Sequence, residues 1–190
     1  MPTWKQRRTI SAADLVARFD QEAGAAEGSI GGSGADAWSA HVWQVLHRVA
    51  RGLDVYCACS RGGHEPGCGE QREWLWDLSW YEPGGDERFV QPLVLIEHEN
   101  AHGESQFLDD WWKVLAGYAP LRVMIGYTTS AEALPRRIDL VRARTRRWIF
   151  PRDASDVVIL RGHGTPRWRY LVRAAGARDF LEIRAPKPRA

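Results

Sequence analysis

Apolar residues recur at helical spacing in two N-terminal stretches. In residues 10–23, ISAADLVARFDQEA, Leu15, Val16 and Phe19 share a face, and Ser11 is placed to cap the first turn. In residues 36–52, DAWSAHVWQVLHRVARG, the pattern returns through Trp38, Val42, Val45, Leu46 and Val49 until Gly52 stops it. Between them GAAEGSIGGSGA reads as a flexible connector. The expected organisation is an N-terminal helix and connector over residues 1–35, then a single domain over 36–190.

Beyond Gly52 the period shortens. DVYCACS is a candidate strand, RGGHEPGCGEQ a turn, and REWLWDLSWY an aromatic β-prone segment closed by the loop signal EPGGDE. FVQPLVLIEHEN holds a continuous apolar run that suits a buried strand with a polar end. SQFLDDWWKVLAGY then returns to helical spacing, with Phe107, Trp111, Val114, Leu115 and Tyr118 on one side. LRVMIGY is another apolar strand, and Thr128 to Ser130 can cap an Arg-rich helix. VVILRG, WRYLVRA and DFLEIR supply further strands. A strand meander followed by a crossover helix and another strand predicts an α/β fold, a mixed sheet flanked by helices.

Composition narrows the function classes. The 190 residues are 44% hydrophobic and 26% charged with a net charge of +2, so overall charge does not itself imply nucleic acid. No run approaches the roughly 20 apolar residues of a membrane span, and MPTWKQRR lacks a signal peptide's apolar segment. Three cysteines argue against a disulfide framework. A cytoplasmic protein is the expectation. Most of the ten tryptophans are expected in the core, and any exposed members of Trp74, Trp76, Trp80, Trp111 and Trp112 are candidates to stack on bases.

Three carboxylates carry the chemistry. Asp77 interrupts an apolar, aromatic segment, where a carboxylate is costly unless paired or bound to a cation. Glu97 and Glu99 lie two apart and point to one side of an extended strand. A hairpin turning near Asp86 and Glu87 would bring Asp77 to Glu97. Gathered acids raise one another's pKa, and a hard divalent cation relieves this. Mg²⁺ or Mn²⁺ is the expected cofactor. The next helix adds Asp109, Asp110 and Lys113, whose ammonium can reach back over the acids. Acids for a metal and a cation for a phosphate suit phosphodiester hydrolysis.

At this point the chain resembles the PD-(D/E)xK nuclease superfamily. The similarity rests on WLWDLSWY, LVLIEHEN, DDWWKVL and LRVMIGY, and covers about half the chain. It implies a restriction-endonuclease-like α-β-β-β-α-β core between residues 36 and 127, followed by a C-terminal helix and strands. It also implies metal ligation by Asp77 and Glu97, with Glu99 and the His98 carbonyl assisting. Trp76 stands where the motif has proline, and Glu99 where it has lysine, which leaves Lys113 to take the lysine's place. Gln44 stands where many relatives carry a further acid.

The implied activity is metal-dependent hydrolysis of DNA rather than RNA. The alternatives are an inactive nuclease-fold module that binds nucleic acid or protein, and a zinc-stabilised interaction domain. Arg136, Arg137, Arg142, Arg144, Arg146 and Arg147 crowd one stretch and could track phosphates. Their bland reading is a solvated helix face. Cys57, Cys59, His64 and Cys68 match a Zn²⁺ site in ligand type but not in spacing, and two buried cysteines beside a turn account for them as well. A homodimer would suit cleavage of two strands, although no residue marks a dimer surface.

Overall fold

A computed structural model describes residues 8–26, 35–59, 76–83, 91–147 and 153–187. Among these, the chain runs α1 (Ala12–Ala26), α2 (Ala35–Gly52), β1 (Tyr56–Cys59), β2 (Leu78–Tyr81), β3 (Val94–Glu99), α3 (Glu104–Ala116), β4 (Leu121–Thr128), α4 (Leu134–Thr145), β5 (Ser155–Gly162), β6 (Trp168–Arg173) and β7 (Leu181–Ile183). The strands form one sheet in sequence order. β3, β4 and β5 are parallel, and every other pairing is antiparallel. This is an α/β fold with a mixed seven-stranded sheet flanked by helices.

Strand alternation divides the core in two. Val94, Ile96, Val123, Ile125, Val157 and Ile159 face α1 and α2, where they meet Leu15, Phe19, Val42 and Leu46. Met124, Val158 and Leu160 face α3 and α4, against Phe107, Trp111, Val114, Ile138 and Val141. α1 is part of the first core, because Leu15, Val16 and Phe19 are fully buried. It therefore packs with the 36–190 segment rather than standing apart from it. Its N-cap is Ser11, whose Oγ accepts the Asp14 amide at 3.0 Å.

The Arg-rich helix starts later than expected. Thr128 closes β4 and donates to the Ser130 carbonyl at 2.7 Å, while Ala133 is the N-cap and Pro135 occupies the first turn. Proline needs no amide partner there, so it sets the start in place of a hydroxyl cap.

Two features fix α3 on the sheet. Arg122, wholly buried on β4, donates to the Leu115 carbonyl at 2.9 Å and satisfies one of the helix's last acceptors. The same guanidinium lies 2.8 Å from Asp156 on β5, and Arg173 of β6 binds the other Asp156 oxygen. At the helix end, a β-carbon on Gly117 would strike Leu95 and the Trp76 ring. Glycine there lets α3 settle onto β3, which sets the height of Lys113 above the sheet.

Candidate active site

Asp77 directly precedes β2 instead of lying within it. The register pairs Leu78 with Ile96, so one step further brings Asp77 opposite Glu97. Each residue then bonds the other strand. The Asp77 amide donates to Glu97 Oε1 at 3.2 Å, and the His98 amide donates to Asp77 Oδ2 at 3.0 Å. The hairpin juxtaposition expected from the sequence is present.

Glu97 and Glu99 share the face of β3 that turns to α3, whereas the intervening His98 turns to α2. From α3, Lys113 Nζ reaches Glu97 Oε1 at 2.9 Å and Asp110 Oδ1 at 3.3 Å. Trp76 donates from its indole to the Lys113 carbonyl at 3.2 Å, locking that turn of the helix. Glu99 accepts the Ala101 amide at 2.6 Å and is hydrogen-bonded to the Asp110 carboxyl. Glu97 and Asp110 thus hold the ammonium group directly, with Asp77 bonded to Glu97 and Glu99 to Asp110.

Asp110 enters the site from the same helix as Lys113. It bridges Lys113 and Glu99. The i, i+3 spacing of Asp110 and Lys113 on one helical flank was the available signal.

The electrostatics follow from burial. Glu97, 1% exposed, has its pKa pushed up to about 8, first by desolvation and then by the Asp77 charge, with Lys113 pulling the other way. Glu99 is also raised, by burial and by the neighbouring Asp110 and Asp77 carboxyls. Burial disfavours the Lys113 ammonium, but the Glu97 and Asp110 carboxylates outweigh it and its pKa rises. The ammonium stays charged, while Glu97 and Glu99 hold their protons more tightly than ordinary carboxyls do.

Does this donor set suit a metal? Among the described residues, no group of three or more His, Cys, Asp and Glu side chains is gathered as a ready cage. Mg²⁺ seldom uses such a cage. It is held by one or two carboxylates, with water and phosphate oxygens completing the shell. Asp77 and Glu97, each carboxylate hydrogen-bonded to a backbone amide of the other's strand segment, fit that requirement. Oxygen-only donors also favour Mg²⁺ or Mn²⁺ over softer ions.

The arginines lie elsewhere. α3 turns Asp110 and Lys113 towards Glu97 and Glu99 of β3. Its Leu108, Trp112 and Leu115 line a cleft of about 280 Å³ with Arg144 and Thr145 of α4, on the helix's other flank. Arg137 is buried at 3% exposure, lies 4.5 Å over the Phe107 ring and donates to the His102 carbonyl at 2.9 Å. It ties down the loop between β3 and α3 and is not available to a phosphate. Arg136 pairs with Glu104 at 2.9 Å, Arg142 with Asp139 at 3.9 Å and Arg146 with Asp179 at 2.6 Å. Arg144 and Arg147 are exposed. Of the tryptophans, Trp80 and Trp111 are core, Trp76 is half-buried and Trp112 is 56% exposed. Trp74 lies outside the described residues.

The cysteine reading changes too. Cys57 and Cys59 both enter the core on the α2 side. Cys59 is disulfide-bonded, a bond the reading against a disulfide framework did not anticipate, and burial pushes the Cys57 thiol up to about 12. Neither sulfur is poised as a thiolate ligand. His64 and Cys68 lie outside the described residues. No helix among the described residues is long and apolar enough to cross a membrane.

Comparison with known proteins adds no identity: no family model, no curated protein and no solved structure matches the chain.

Proposed function

We propose that the chain is a metal-dependent phosphodiesterase of the PD-(D/E)xK type, acting on DNA. The observation that carries this reading is the meeting of Asp77, Glu97 and Lys113 at the mouth of the β2–β3 hairpin. The order of α2, β1, β2, β3, α3 and β4 supports it, being that of the restriction-endonuclease-like core.

In this reading Asp77 and Glu97 hold Mg²⁺ or Mn²⁺, with Glu99 beside them. A cation bound there would polarise the scissile phosphate and lower the pKa of an attacking water. Lys113 supplies the fixed positive charge that stabilises the charge developing on the phosphate. Asp110 restrains Lys113 so that its ammonium remains over the acids. Glu99, close to Asp110, is placed to orient water once it has lost its proton.

The test is incubation of mixed DNA and RNA substrates with Mg²⁺ or Mn²⁺, comparing wild type with Asp77→Ala and Glu97→Ala. Cleavage by wild type alone supports the reading. Equal activity in all three proteins contradicts it, and salt-sensitive binding without any cleavage favours a non-catalytic nucleic-acid module.

A further inference from the structure

The first turns of α2 touch the frame of the site twice. Asn100 Nδ2 donates to Ser39 Oγ. Trp38 hydrogen-bonds the Tyr127 phenol, and their rings meet edge to face at 5.9 Å. An indole N–H can only donate, so the phenol oxygen accepts from Trp38, and the same hydroxyl makes a second hydrogen bond. Its partner is His98 Nε2 at 2.7 Å. The residues on either side of Glu99 are therefore both held from α2, one directly and one through β4.

Glu99 needs such support. It is the last residue of β3, paired with Gly126, and the chain leaves the sheet immediately after it. A strand end frays unless it is anchored. On one side Asp77 holds the His98 amide. On the other, the imidazole rests against Tyr127, buried at 6% exposure.

We infer that Tyr127 and Trp38 are positioning residues, which act through the His98 ring to hold the Glu97–Glu99 segment in the geometry its carboxylates need to bind a cation. This rests on the proposed role of the acids, but it also has a consequence that needs no metal. Tyr127→Phe keeps the ring and removes only the hydroxyl, so the fold survives while the strut is cut.

The first measurement is amide hydrogen exchange of the metal-free protein. Tyr127→Phe should speed exchange at residues 98–101 and leave β5 amides unchanged. The second is Mn²⁺ titration well below the unfolding temperature. Tyr127→Phe should weaken binding about tenfold, the usual scale for groups that orient ligands. His98→Leu should do the same, and His98→Gln, which keeps a hydrogen-bonding group able to donate or accept, should recover part of the loss. Unchanged exchange at 98–101 overturns the inference whether or not Mn²⁺ binds. Faster exchange with undiminished Mn²⁺ affinity overturns the positioning role. Faster exchange in a protein whose wild type binds no Mn²⁺ overturns the proposed metal site, and the positioning role falls with it.

Discussion

Lys113 Nζ lies 2.9 Å from Glu97 Oε1, joining a helix to the most buried acid of the site. The pair is unequal, for Lys113 is 27% exposed at its side chain and Glu97 only 2%. Removing the ammonium leaves burial and like charge at Glu97 opposed only by the Asp77 amide. Lys113→Met should therefore raise the Glu97 pKa beyond about 8 and lower cleavage about 10²-fold or more, the scale for one lost charge-stabilising donor. Single-turnover cleavage at saturating Mn²⁺ checks this, because it isolates the chemical step from cation binding.

The raised Glu97 pKa has a sign that stability can test. Its ordinary value is 4.5 and its folded value about 8. The folded state thus binds the proton more tightly than the unfolded chain does. That contribution is fully present below about pH 4.5 and is lost as pH rises through about 8. Metal-free Glu97→Gln should gain thermal stability relative to wild type at pH 8 and little at pH 5. Divalent cation should stabilise wild type increasingly across the same interval, because it binds the carboxylate. Melting curves at both pH values, with and without Mg²⁺, decide the matter.

Asp156 is the structural counterpart of this site. It is fully buried between Arg122 and Arg173, and Arg122 also caps α3. Asp156→Ala leaves two buried guanidinium groups without their counter-ion and should cost about 3–5 kcal/mol. Asp179→Ala, which removes an exposed partner of Arg146, should cost about 0–1 kcal/mol. Urea denaturation of the two variants side by side measures the contrast.

The arginines of α4 make a separate prediction. If nucleic acid crosses this helix, Arg144→Ala should weaken binding similarly for all sequences and reduce the log–log salt slope by about one. Arg137→Ala should act through stability, because Arg137 is buried against Phe107 and the His102 carbonyl. Fluorescence anisotropy at several salt concentrations distinguishes the two.

Much of the fold was legible because apolar runs are long where strands are buried on both faces. LVLIEHE and LRVMIGY are such runs, and both became central strands. The approach of Asp77 to Glu97 was legible because a hairpin fixes register. The flank on which α4 lies was not, since it depends on how the crossover packs. Residues 134, 137, 138, 141 and 145 form the buried stripe of α4, so Arg137 already stood at an apolar phase in the sequence. Its charge drew attention away from its position. The Trp38–Tyr127–His98 contacts join residues far apart in the chain, and no local pattern announces them.

The most direct test of the account is equilibrium binding of Mn²⁺ by calorimetry at pH 8, with wild type compared to Asp77→Asn and Glu97→Gln. The account predicts a saturable site in wild type that either substitution abolishes or weakens severely, with the fold intact by circular dichroism. Binding of the same stoichiometry and affinity in all three proteins would contradict it.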